Sequence, residues 1–223
     1  MHTKSHTLKS AQAFGAVSNR NSKMPGSTFA ISPMACKVGG KLATVEGSTC
    51  SKCYAIKLFK MRPSVRMGWT ANLEKSIQAI VNNPVEWSEA IAWQINREAM
   101  KTGEYYHRWF DAGDLQSVEM LHAIVLVVKL TGNVKHWLPT REAKMVKDYV
   151  ANYGPFPENL VVRVSSTMVG DKPISRGPNT STVHRKGTEH YGHACPASTQ
   201  GNACGECRAC WNHAVGNVSY PLH

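Results

Sequence analysis

EYYHRWFDAGDLQSVEMLHAIVLVVKLTGNVKHWLPTRE, residues 104–142, is the stretch whose reading decides the fold. Glu104–Phe110 is aromatic and β-prone and reads as a strand, and Asp111-Ala112-Gly113-Asp114 is a turn. Ser117–Leu130 is an apolar helix ended by Gly132, and Val134–Leu138 is a second strand. Thr140-Arg141-Glu142 then leads into a helix that stops near Tyr153-Gly154-Pro155, before the β-branched run Leu160–Val164 (LVVRV). Strand, helix, strand, helix, strand argues for βαβ units and a parallel sheet. The expected fold is α/β: a partial (β/α) barrel, or a parallel-sheet α/β core with a cysteine-rich, loop-rich C-terminal extension.

Upstream of this stretch, Val65, Trp69, Leu73, Ile77, Ile80 and Val81 recur at helical steps. Trp87, Ala90, Ile91, Trp93, Ile95 and Ala99 do the same after Pro84, which suits the first turn of a new helix. Residues 55–62 allow one or two helical turns before Pro63. Ser27–Ser32 (STFAIS) is a short strand, followed by a Gly- and Ser-containing loop from Met34 to Ser51. Residues 1–26 are polar and aperiodic, an arm that is mobile or wrapped on the surface. Downstream, residues 168–194 read as a long loop with one short strand at Thr182–Arg185, and Val218–Tyr220 as an edge strand. The expected organisation is therefore an N-terminal arm (1–26), an α/β core (27–167) and a cysteine-rich region (168–223) packed on that core as one domain.

Composition narrows the classes. With 223 residues and 42% hydrophobic content the chain can bury a core, so disordered, collagen-like and miniprotein classes are excluded. The longest apolar stretch, Ala123–Val128, is too short to span a bilayer, and no apolar segment follows the charges of Met1–His6. The expectation is a soluble cytoplasmic protein. Lys and Arg outnumber Asp and Glu by 26 to 15, a net charge of +11, which favours an anionic partner such as nucleic acid.

Seven cysteines fall into two groups, Cys36, Cys50 and Cys53, then Cys195, Cys204, Cys207 and Cys210. An odd number without an export signal argues against a disulfide framework, whereas short CxxC spacing suits a metal or cluster. The first group offers three thiolates on one loop, with His6 and His107 remote in sequence. Three fit a [4Fe-4S] cluster that leaves one iron open to a ligand such as S-adenosylmethionine; a zinc site completed by a distant side chain is the alternative. The second group offers four in a Cys-x8-Cys-x2-Cys-x2-Cys pattern, fit for a second cluster or for zinc, with His190, His193 and His213 able to replace one thiolate. Around the first group, Asp111, Asp114, Thr140, Arg141, Glu142, Arg163, Ser165 and Ser166 lie at or near the C-terminal ends of strands, the edge where parallel α/β folds bind ligands. For any one of them a cap or turn role is the competing reading.

NSKMPG (Asn21–Gly26), GSTCSKCYA (Gly47–Ala55), RWFDAGDLQS (Arg108–Ser117), WLPTRE (Trp137–Glu142), VRVSS (Val162–Ser166) and CPA…CGECRACW (Cys195–Trp211) resemble the phage gene product 88 family. The CxxCYA element also resembles phage proteins that look like distant radical S-adenosylmethionine enzymes. That second resemblance implies cluster ligation by Cys36, Cys50 and Cys53. It also implies that Ala112-Gly113-Asp114 replaces a Gly-Gly-Glu segment holding the methionine amino group, and that Arg163 and Ser165 contact ribose or carboxylate. Two features depart from that superfamily: thirteen residues separate Cys36 from Cys50 where three are usual, and Asp114 replaces Glu.

The expected function is thus an iron–sulfur, radical S-adenosylmethionine-like enzyme acting on a nucleic acid or nucleotide. Asp111, Asp114, Arg141 and Glu142 would be catalytic, while Gly113, Asp114, Arg163 and Ser165 would bind cofactor. Trp109, Trp137 and Trp211 are offered as base-stacking residues, against a core role for each. The rival is a non-enzymatic zinc or iron–sulfur protein that binds nucleic acid or senses redox state.

Overall fold

A computed structural model of the chain describes residues 6–19, 22–174 and 179–222; part of the N-terminal motif, including Met1–Ser5 and Asn21, lies outside them. Seven strands form one sheet in the order β1-β2-β3-β4-β5-β7-β6. They are β1 (Ser27–Phe29), β2 (Tyr106–Trp109), β3 (Lys135–Thr140), β4 (Leu160–Ser165), β5 (Asn179–His184), β6 (His193–Ala194) and β7 (Asn217–Pro221). Every neighbouring pair is parallel, and the sheet is open, so the parallel-sheet alternative holds and no barrel closes.

The helices are α1 (Leu8–Gln12), α2 (Lys37–Leu42), α3 (Tyr54–Met61), α4 (Pro63–Asn82), α5 (Pro84–Thr102), α6 (Val118–Leu130) and α7 (Ala143–Tyr153). Pro63 and Pro84 occupy first turns, where a missing N–H costs nothing. Ser117 caps α6 by accepting from the Met120 N–H, and Gly103 ends α5 in the left-handed region at φ 73°. Among the described residues no helix is long and apolar enough to cross a membrane.

The two sheet faces are used differently. Alternation along the strands sends Trp109, Leu138, Leu160, Val162 and Val164 into one core with Trp87, Ile91, Ile95, Leu121 and Ile124 of α5 and α6. The opposite face presents Tyr106, Trp137, Val218 and Tyr220 to a 3-10 turn, Ala209–Trp211, in the cysteine-rich segment. The C-terminal region therefore lies across the helix-free face and also lengthens the sheet.

Several expectations are corrected. Residues 8–12 are helical, with Thr7 capping the Ser10 N–H, and the segment behind them is clasped onto the core. Asn72 accepts from Ala16 N–H and donates to the Ala16 and Ala30 carbonyls, while Gln94 accepts from Val17 N–H and donates to Gly15. The loop after β1 contains a 3-10 turn, Pro33–Ala35, and the helix α2. The strand near residue 182 begins at Asn179, within what read as loop. Its neighbour β7 is interior rather than an edge, because the two-residue β6 pairs outside it.

Candidate functional site

The loop after β1 carries Cys36, Cys50 and Cys53 to the C-terminal edge of the sheet, where successive strand ends hold it. Glu142, after β3, accepts from the Val38 N–H at 2.8 Å, pinning the chain beside Cys36. Arg141 donates from Nε and Nη2 to Thr49 Oγ1, at 3.1 and 2.7 Å, next to Cys50. Thr49 N–H donates to the Thr167 carbonyl beyond β4, and Tyr54, next to Cys53, donates from its hydroxyl to the Asp111 carbonyl beyond β2. The ties join residues near the three cysteines to the ends of three strands, β2, β3 and β4.

Gly113 sets how closely the β2 loop approaches β1. Its φ is +84°, and a Cβ there would stand 2.4 Å from Ile31 Cγ1 and 2.8 Å from the Ile31 carbonyl oxygen, so only glycine fits. Asp114 then turns inward and bridges two strand ends. Its carboxylate accepts from Leu115 N–H (2.8 Å), Thr140 Oγ1–H (2.6 Å) and Arg141 N–H (2.9 Å).

These residues line one cavity of about 140 Å³, walled by Cys36, Cys50, Cys53, Tyr54, Arg108, Asp111, Gly113, Asp114 and Arg141 among others. Gly39 of α2 sits against two of the sulfurs: a Cβ there would be 3.5 Å from Cys50 Sγ and 3.8 Å from Cys36 Sγ. Burial raises the Cys36 thiol to about 12, with Asp114 and the other two cysteines adding to it and Arg141 opposing. Burial also raises Cys50, again against Arg141. Burial brings Asp114 up to about 6 despite its three donors. Thiols held neutral by burial need a cation to ionise them, and Arg141 lies on the side that favours the thiolate. Among the described residues no three His, Cys, Asp or Glu side chains converge as on a single metal ion; the three thiols ring a cavity instead.

The second group sits on the helix-free face. Cys210 is buried, accompanied by Tyr220 Oη at 3.2 Å, and burial raises its thiol to about 12. Cys207 Sγ is 3.5 Å from His193 Nε2, and the backbone N–H of Cys195 and Cys204 donate to Ser219 and Lys23 carbonyls. None of the seven cysteines is in a disulfide. The profile of the gene product 88 family matches residues 2–213. The chain belongs to the gene product 88 family. No curated protein and no solved structure matches it.

Within this gene product 88 chain the predicted site residues divide. Cys36, Cys50, Cys53, Asp111, Gly113, Asp114 and Arg141 meet around the cavity, and Glu142 supports it from behind. Arg163 and Ser165 do not join them. Arg163 is fully buried on β4 and donates to the Thr180, Ala209, Cys210, Asn212 and Gly216 carbonyls, so its guanidinium is a clamp on the C-terminal segment rather than a cofactor contact. Ser165 Oγ pairs with Ser181 Oγ at 2.9 Å. Trp109, Trp137 and Trp211 are core side chains at 0%, 5% and 4% exposure, which removes them as stacking platforms.

Two residues at the cavity carried no signal of their own in the sequence. Tyr54 lies inside the CxxCYA element, and Arg108 opens RWFDAGD. Arg108 stands between the two cysteine groups: Nη1 is 3.1 Å from Asp111 Oδ1, and the guanidinium lies 4.7 Å from the Trp137 ring centroid. Its charge favours the thiolate form of both Cys204 and Cys210.

Proposed function

We propose that Cys36, Cys50 and Cys53 hold a [4Fe-4S] cluster with one open iron, and that the chain is a radical S-adenosylmethionine-like enzyme acting on a nucleic acid or nucleotide. The observation that carries this reading is the single cavity in which three thiols of one loop meet the loops following β2 and β3. The donor set suits the group: three thiols supply three corners, and the remaining wall offers polar groups. When bound, the cluster supplies one-electron reduction of S-adenosylmethionine.

The chain's own residues position and charge the site. Arg141 favours the thiolates and fixes Thr49, so it couples ligand ionisation to loop position. Asp114, committed to three donors, holds the β2 loop against the end of β3 and leaves Asp111 nearer the opening. Glu142 keeps the chain next to Cys36 in place through the Val38 N–H. A parallel sheet whose first five strands follow chain order puts all of these at one edge.

Anaerobic protein with intact cluster should bind S-adenosylmethionine in calorimetry. Intact cluster without such binding would hand the site to redox sensing or nucleic-acid binding. Zinc is a second reading for the C-terminal group alone, because a structural zinc takes four ligands and this group offers four thiols, with His193 beside Cys207. Metal analysis of a variant lacking Cys36, Cys50 and Cys53 separates the two, as it would retain either iron with sulfide or zinc.

A further inference from the structure

The positive charge is concentrated in the segment that borders the cavity. Between residues 37 and 73 the chain has seven cations (Lys37, Lys41, Lys52, Lys57, Lys60, Arg62 and Arg66) and one acid, Glu46. That segment supplies a net +6 of the chain's +11 and carries Cys50 and Cys53, with Cys36 directly before it. Lys52, Lys57, Lys60, Arg62 and Arg66 are all exposed, and among the described residues none of these five forms an ion pair. Five uncompensated cations over fifteen residues repel one another, a cost that an exposed surface bears most readily when a polyanion neutralises it.

Place adds to charge. Tyr54 and Ile56 of α3 line the cysteine cavity, and the next turns of α3 and the start of α4 carry Lys57, Lys60, Arg62 and Arg66. Beside them Tyr54, Met61 and Met67 are 54%, 62% and 70% exposed, an apolar offering unusual in so charged a stretch. Cations that follow a phosphate chain, interleaved with aromatic and apolar side chains for bases, are the features of a single-strand binding surface. A duplex suits the site less well, because a base must leave its stack before it can reach a recessed group.

We infer that the α3–α4 elbow binds the phosphate backbone of a single-stranded nucleic acid and delivers it to the cysteine cavity. This rests on the reading above for what happens inside the cavity, but the surface is testable without it.

The probe is a fluorescein-labelled single strand of about 20 nucleotides of mixed sequence, titrated by anisotropy with anaerobically purified full chain. Lys57→Gln, Lys60→Gln, Arg62→Gln and Arg66→Gln combined should weaken binding on the order of a hundredfold near 0.1 M salt. The slope of log affinity against log salt should flatten by about 3, from about 0.7 per phosphate. A charge-matched control, Lys101→Gln, Lys129→Gln, Lys147→Gln and Lys186→Gln, alters exposed lysines elsewhere and should keep the wild-type slope. Equal loss in both variants would overturn the inference, since net charge alone would then explain binding. So would tighter binding to the duplex, or no binding by the wild type. Both variants should keep wild-type iron content and melting temperature, because the substituted side chains are exposed. The two readings fail separately. Absent iron with intact strand binding sinks the cluster and spares the surface, whereas intact iron with the elbow variant still binding sinks the surface alone.

Discussion

The two cysteine regions are attached to the same sheet by different means. The first is a loop held at its rim by scattered ties, Glu142 to Val38, Arg141 to Thr49, Tyr54 to Asp111 and an isolated bridge from Ser48 to Met168, and it borders a cavity. The second is woven into the sheet through β6 and β7 and clasped from below by five carbonyl contacts of Arg163. The first construction leaves space beside its thiols and can yield locally. The second also borders a cavity, of about 790 Å³ beside His193 and Cys207, but its strands belong to the sheet and yield only with the fold. Similar residue chemistry thus lines a rim cavity in one place and is woven into the sheet in the other.

That contrast predicts unequal costs. The largest belongs to Cys204→Ser with Cys207→Ser, where lost metal or cluster binding is lost folding energy, more than about 5 kcal/mol. Denaturant unfolding reads it, and wild-type stability in this variant would show that the second region is no metal centre. Next comes Arg163→Met, which strands several buried carbonyls and should cost about 4 kcal/mol. Its loss should also release the C-terminal segment, seen as faster amide exchange at Val218 and Ser219. A small effect there would mean that strand pairing alone holds that segment.

Smaller still is Glu142→Ala, about 1–2 kcal/mol from one buried hydrogen bond. It should lower iron retained at the first group while sparing the second, and equal loss from both would erase the distinction drawn between them. The last effect is one of pH and involves neither region. His136 is fully buried, and Trp109 Nε1–H donates to its Nδ1 at 3.2 Å, so Nε2 carries the proton and faces Thr131 Oγ1 at 2.8 Å. Burial holds it down at about 3, whereas an unfolded histidine titrates near 6.5. The unfolded chain therefore binds the extra proton first, so this contribution is complete above about pH 6.5 and is lost as pH falls toward 3. His136→Gln should be less stable at neutral pH and show a shallower acid limb in melts across that range.

The sequence made β2, α6, β3, α7 and β4 legible because each is a run of one periodicity bounded by Gly, Pro or a cap, and those runs lie within a residue or two of their expected limits. The carboxyl third was less legible. β5 is NTSTVH, and its first four residues are buried although polar. Asn179 donates to the His213 and Val215 carbonyls, and Thr180 to Gly216 and Asn217, contacts that no local pattern announces. α2 was hidden by Gly39 and Gly40, of which Gly39 packs against Cys36 and Cys50. The cysteine groups and the strand-end aspartates, Arg141 and Glu142 were visible from spacing. The burial of Arg163 was not, because a charged residue in LVVRV looks the same whether it faces a ligand or a ring of carbonyls.

The most direct test of the account is anaerobic iron and acid-labile sulfide analysis of the wild type beside Cys53→Ala. The account predicts a brown wild type whose Cys53→Ala variant loses one cluster's complement of iron and sulfide while remaining folded. A colourless wild type that contains zinc and no sulfide, or a Cys53→Ala variant with undiminished iron, would contradict it.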